Sequence, residues 1–210
     1  MAAQTANFLL QVKAVKLNND NPFTWASGRK SPIYCDNRVT LSYPNIRTYI
    51  RQQFVELINE HFGDVDVIAG VATGGIAQGA LVAQELGKPF VYVRSEEKKH
   101  GLTNQIEGEI HEGQSVVVIE DLVSTGKSSL IAVKALREKG CKVKGMAAIF
   151  TYGLQVADQN FKDADVELHT LTNYDALIEV ARKEEYIQEH QMQSLADWRV
   201  NPEKWSEDHM

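Results

Sequence analysis

The 210 residues are 43% hydrophobic and 24% charged, with a formal net charge of −6, the make-up of a globular domain long enough to bury a sizeable core. The acidic balance and the lack of a basic stripe argue against a protein that coats nucleic acid, and no apolar run reaches the roughly 18 residues that a membrane span needs. Cys35 and Cys141 fit no metal spacing, and Met1–Asn7 lacks the features of a signal peptide, so reduced thiols in a cytoplasmic protein are expected.

Thr5–Leu17 places Phe8, Leu9, Val12, Val15 and Leu17 at roughly helical spacing, which predicts a short amphipathic helix. A turn cluster follows at Asn18–Pro22. Phe23–Arg38 reads as two short strands about a turn at Gly28, dense in aromatic and basic residues. It suits either an ordinary hairpin or a lid offering an aromatic wall and cations to a planar, acidic ligand. Tyr43–Phe62 predicts a long helix with Ile46, Ile50, Phe54, Leu57, Ile58 and Phe62 on one face. Val65–Val71 is a buried strand that ends in Ala72-Thr73-Gly74-Gly75, and Ile76–Leu86 is a helix closed by Gly87. The glycine spacing there is not that of a dinucleotide fingerprint, but paired glycines at a strand end let a ligand approach the backbone. Lys88–Arg94 is a third strand. Ser95–Gly108 has no apolar periodicity, and a polar connection of that length fits a lid over the carboxyl end of the sheet.

Ser115–Ser129 changes character twice. Val116–Ile119 is an uncharged β-branched run, as in a strand buried on both faces of a parallel sheet. Glu120-Asp121 then sets two carboxylates at its carboxyl end, and Ser124-Thr125-Gly126-Lys127-Ser128 opens a helix running to Lys139. Hydroxyls and backbone N–H groups at a helix N-terminus suit a phosphate. Beyond this unit, Val143–Phe150 and Val166–Leu171 are strands, Gln155–Phe161 and Tyr174–Arg182 are helical, and Ile187–Trp205 is a polar tail. Strands alternating with helices predict an α/β fold, a doubly wound parallel sheet with a small N-terminal hood. One domain is expected, with a hood over roughly 1–40, a core over 41–184 and a tail over 185–210.

Gly126-Lys127-Ser128 invites comparison with a P-loop, but the glycine required five positions earlier is Asp121. Two acids would also repel a triphosphate. They suit a ligand with a phosphate at one end and a sugar diol nearby, whose anomeric carbon becomes positive in an oxocarbenium-like transition state. A diphosphate leaving group would need Mg²⁺ and mobile cations, and Arg94, Lys98, Lys99 and His100 are at hand.

Val117–Ser128 resembles the signature of the type I phosphoribosyltransferases. Phe23–Tyr34 and the stretch from Arg94 through Lys98-Lys99-His100-Gly101 resemble its orotate-using branch. The resemblance implies Mg²⁺-dependent transfer of a phosphoribosyl group from 5-phosphoribosyl 1-diphosphate to orotate. It implies that Glu120 and Asp121 hold the ribose diol, with Leu122, Val123, Ser124, Thr125, Gly126, Lys127 and Ser128 around the 5′-phosphate. It places Thr73, Gly74, Arg94, Lys98, Lys99 and His100 on the diphosphate, with Lys98 and Asp121 catalytic. The Mg²⁺ would ride on the diphosphate and ribose rather than on a dedicated ligand set. Ser124 falls to orotate, the role of a lysine missing at Ala26 passes to Lys30 or Arg29 or stays vacant, and Tyr34 is either a stacking partner for the base or plain hood packing. A homodimer whose lid residues enter the neighbouring site is implied as well. The chain departs from the family at Ala26 and Thr73-Gly74, where lysines are common, and in Ile149–Gly153, which lacks an arginine. A regulator built on the same fold would add a DNA-binding segment that is not evident here, and the hood and the Lys-x-His pattern speak against a purine acceptor.

Overall fold

The computed structural model describes residues 1–25, 27–94 and 105–210. Lys98, Lys99 and His100 of the expected lid, together with Ala26, therefore lie outside the described residues. Helix α1 (Ala2–Gln11) buries Ala6, Leu9 and Leu10. The helix expected to reach Leu17 stops at Gln11: Lys13 turns the chain at a φ of 57°, and strand β1 (Val15–Leu17) begins two residues later. Strands β2 (Phe23–Thr24), β3 (Lys30–Ser31) and β4 (Ile33–Cys35) follow. They make two antiparallel ribbons rather than one, β2 with β3 and β1 with β4. Val15 thus serves a ladder, which suits its β-branched side chain better than a helix interior does, and Leu17 pairs with Ile33 on the same ribbon. The β2–β3 turn is closed by Gly28, whose φ of 84° favours glycine.

A 3₁₀ turn (Asn37–Ser42) leads into α2 (Pro44–His61), with Pro44 at its first position, where a missing N–H costs nothing. Then come β5 (Val67–Val71), α3 (Gly74–Leu86), β6 (Phe90–Val93), β7 (Ile106–Glu107), β8 (Ser115–Val123), α4 (Lys127–Glu138), β9 (Lys142–Thr151), α5 (Gln155–Asp163), β10 (Leu168–Asn173) and α6 (Tyr174–Lys183). The sheet order is β10-β9-β8-β5-β6-β7. All pairs are parallel except β6–β7. The return strand β7 lies within the stretch expected to be pure loop. Side chains alternate between two cores: Val117 and Ile119 of β8 join α1, α2, α3 and α6 on one face. Val116 and Val118 join α4 and α5 on the other. The α/β fold with a mostly parallel, doubly wound sheet matches the expectation.

Two boundaries differ in a way that matters. β8 does not end at Ile119 but runs through both acids to Val123, because Leu122 and Val123 stay in register with Phe150 and Thr151 of β9. The polar tail forms α7 (Met192–Val200) and α8 (Pro202–Asp208). Trp198 is 1% exposed and packs edge-on against Trp25 and Tyr152. The Lys30 N–H donates to Ser206 Oγ at 2.8 Å, and Arg29 pairs with Glu203. The tail is therefore docked on the hood.

Candidate active site

β8 and the loop after β5 meet at the carboxyl edge of the sheet. The Asp121 carboxylate lies directly on the Gly74 α-carbon, where any Cβ would overlap it, and a Cβ on Gly75 would strike the Ile119 carbonyl. Two glycines are required because the loop presses against β8. Among the predicted residues, Thr73 and Gly74 are thus brought to the acidic pair. The Asp121 carbonyl accepts from Asn37 Nδ2 at 2.5 Å, and Asn37 Oδ1 faces the Cys35 thiol at 3.3 Å. The hood is tied to the strand through this amide.

Glu120 is 4% exposed. Its carboxylate accepts from the Asp121 N–H at 3.0 Å and from Ser129 Oγ at 2.8 Å. Burial, and then the charge of Asp121, hold its pKa well above the usual carboxylate range, against the pull of these hydrogen bonds. The two acids are unequal: Glu120 is enclosed, and Asp121 sits beside the glycine loop.

Ser124, Thr125 and Gly126 form the loop, and α4 starts at Lys127. Its first N–H groups have no intrahelical partners, which makes the site suited to an anion. Gly126 has a φ of 78°, and a Cβ there would come within 2.6 Å of the Phe161 ring. Asn160 of α5 donates to the Thr125 carbonyl at 2.8 Å and fixes the loop from below. Lys127 and Ser128 are exposed, whereas the Val123 side chain belongs to the core. Asn37, Ser129 and Asn160 were not singled out in the sequence. Nothing local marks Asn37 and Asn160, whose partners lie 84 and 35 residues away, whereas Ser129 reaches Glu120 only nine residues back across the strand–helix turn.

At the far edge, the Arg94 N–H donates to the Gln105 carbonyl at 2.9 Å, and its guanidinium lies 3.7 Å from Glu107. Arg94 thus stands at the root of the 95–104 stretch. On the hood side, a cavity of about 450 Å³ runs from Trp25 and Lys30 past Ser124 and Thr125 to Arg199 and Asn201. Lys30 and Ser124 share this cavity as predicted acceptor-base residues. Tyr34 does not line it; 38% exposed, it leans on Phe23 with ring centroids 5.8 Å apart.

Among the described residues no three His, Cys, Asp or Glu side chains converge to hold a metal. One carboxylate beside a phosphate loop does suit Mg²⁺, which keeps most of its shell from substrate phosphates and water. The described helices include none long and apolar enough to cross a membrane.

Residues 41–185 match the phosphoribosyl transferase domain. The orotate phosphoribosyltransferase of Bacteroides fragilis is 58% identical over 200 residues, 95% of this chain and 94% of that protein. That of Listeria monocytogenes is 56% identical over 202 residues, 96% and 97% of the two chains. The crystal structure of orotate phosphoribosyltransferase from Aeropyrum pernix superposes with a TM-score of 0.75 at 30% identity, covering 87% of this chain and 99% of that one.

Proposed function

Because the chain belongs to the phosphoribosyltransferase family, we infer that it transfers the phosphoribosyl group of 5-phosphoribosyl 1-diphosphate to orotate, giving orotidine 5′-monophosphate and diphosphate in pyrimidine biosynthesis. The observation that carries this reading is the meeting of Asp121, the Thr73-Gly74 loop and the Ser124–Ser128 loop at one sheet edge. A ligand with a phosphate at one end, a diphosphate at the other and a diol between them spans these three features.

Ser124, Thr125, Gly126, Lys127 and Ser128 hold the 5′-phosphate with backbone N–H groups and hydroxyls. Asp121, with Glu120 behind it, accepts from the ribose hydroxyls and stabilises positive charge at the anomeric carbon. Thr73 and Gly74 offer backbone to the diphosphate, and Arg94, Lys98, Lys99 and His100 bring it cations. Mg²⁺ fits at the Asp121 edge, carried mainly by the substrate's own oxygens; when bound it offsets the charge that builds on the leaving group. Ser124 and Lys30 face the orotate. Tyr34, which leans on Phe23 outside the cavity they line, would have to leave this contact to stack on the base. Hood, core and tail act as one domain in the cytoplasm. The active form is a homodimer in which Lys98 serves the neighbouring site. Turnover of orotate against adenine, hypoxanthine and uracil, with and without Mg²⁺, tests this. Preference for a purine or Mg²⁺-independent turnover would refute it.

A further inference from the structure

Side chains hold both backbone groups of Asp121. Its N–H donates to the Glu120 carboxylate at 3.0 Å, and its carbonyl accepts from Asn37 Nδ2 at 2.5 Å. The ladder between β5 and β8 has already ended two residues earlier, at Gly70 and Ile119. Glu120 is the chain neighbour of Asp121, but Asn37 comes from the head of the 3₁₀ turn after β4, 84 residues away.

The amide of Asn37 can be turned two ways, and the chemistry around it permits one. A carbonyl only accepts, so the NH₂ end of Asn37 must face Asp121. The oxygen end then faces Cys35 Sγ at 3.3 Å, and the thiol must donate to it. Burial, and then the charges of Asp121 and Asp36, push the Cys35 thiol well above its ordinary value, so it keeps its proton at neutral pH. Asn37 is 1% exposed, and its own carbonyl accepts from Thr40 Oγ1 at 2.6 Å. The relay from Cys35 through Asn37 to Asp121 therefore has one direction and a fixed base.

Resting on the reading above, we propose that Asn37 is a positioning residue for Asp121 and that Cys35 sets the direction of its amide. With its N–H and its carbonyl both pinned, Asp121 has only its own rotamers left to vary, and its carboxylate stays against Gly74 for the ribose hydroxyls. The structural alternative is that Asn37 merely fastens the hood to β8.

The two readings part in a background that lacks the carboxylate but keeps the carbonyl, Asp121→Ala. In isothermal titration with Mg²⁺ present, Asn37→Ala alone weakens binding of 5-phosphoribosyl 1-diphosphate about threefold to tenfold, the range for one lost hydrogen bond. Added to Asp121→Ala, it weakens binding by less than about twofold. Equal losses in the two backgrounds, or no loss in either, overturn the proposal. Cys35→Ala, which leaves the Asn37 oxygen unpaired, shows a smaller loss with the same dependence on Asp121, and Cys35→Ser recovers most of it. Should Asn37→Ala fail to fold, the cycle of Cys35→Ala with Asp121→Ala decides by the same criterion. Orotate turnover by the parent enzyme is the control: its absence removes the functional reading, whereas normal turnover with equal losses removes only this inference.

Discussion

Gly74 and Gly75 stand side by side in sequence, but alanine at each should cost different things. At Gly74 the nearest atoms to the added methyl are those of the Asp121 carboxylate, a side chain that can swing aside. Moving it off its rotamer costs about 0.5–1.5 kcal/mol. Alanine at the start of α3 returns up to about 1 kcal/mol of helix propensity. Net stability is therefore nearly unchanged, within about 3 °C in Tm for a chain of this size. Displacing Asp121 forfeits hydrogen bonds donated to a charged acceptor, each worth about 1.5–3 kcal/mol, so kcat/KM for phosphoribosyl diphosphate falls about tenfold to a hundredfold. At Gly75 the methyl meets the Ile119 carbonyl, backbone of the central strand. Overpacking against an element that cannot yield costs about 3 kcal/mol or more, a fall in Tm of about 6–12 °C. Differential scanning fluorimetry and steady-state kinetics on both variants decide it. A Gly74→Ala enzyme with full kcat/KM would refute the placement of Asp121, and a Gly75→Ala protein as stable as the parent would refute the packing.

Glu120→Gln tests the buried acid. Because burial raises the pKa of Glu120 in the fold, its ionised form opposes folding, with no effect below the unfolded pKa and the full effect above the folded one. The Tm of Glu120→Gln relative to the parent should therefore climb as pH rises from about 4 through this window; a gap that is flat or narrows across a pH series contradicts it. Lys98→Ala should abolish most turnover with Tm unchanged, and near-normal steady-state rates would sink the lid assignment. Mixing Lys98→Ala with Asp121→Asn subunits should restore activity in heterodimers, and verified heterodimers without recovery would exclude sharing of the lid. Trp198→Ala should cost about 3–5 kcal/mol, or about 6–20 °C in Tm, because its indole is enclosed by Trp25, Tyr152 and Tyr174. A Tm loss under 3 °C would mean that the tail is not part of the folded unit.

The core of the fold could be read in advance because its signals are local. Val67–Val71 and Val116–Ile119 are unbroken apolar runs, and Gly87 and Gly140 end their helices at φ values of 64° and 84°. The hood was misread where a tertiary partner decides. Val15-Lys16-Leu17 fits either period, and its pairing with Ile33–Cys35 settles it. The acids and the phosphate loop were visible because they are contiguous. Their supports were not: Asn37 and Asn160 reach the site from other elements. The tail's share of the cavity was hidden for the same reason, since Arg29 and Glu203 meet only when the chain is folded.

The run of β8 through both acids also explains why the pair can be so unequal. Had the strand stopped at Ile119, Glu120 and Asp121 would share a loop and one environment. Inside a strand, successive side chains leave opposite faces. Glu120 therefore starts under α4, where Ser129 bonds it, and Asp121 starts over α3, against Gly74. Glu120 curls back only far enough for its carboxylate to take the Asp121 N–H. Burial then assigns the roles. Ionising Glu120 is costly, because burial and then the neighbouring Asp121 both penalise its charge. Glu120 braces the first turn of α4 through Ser129, and so the loop before it, while Asp121 stays against Gly74, where the proposed function puts the sugar. Ser129→Ala should accordingly raise the KM for phosphoribosyl diphosphate by loosening the loop, with the dependence on orotate unchanged. An effect confined to the orotate KM would show that the brace does not work through the phosphate.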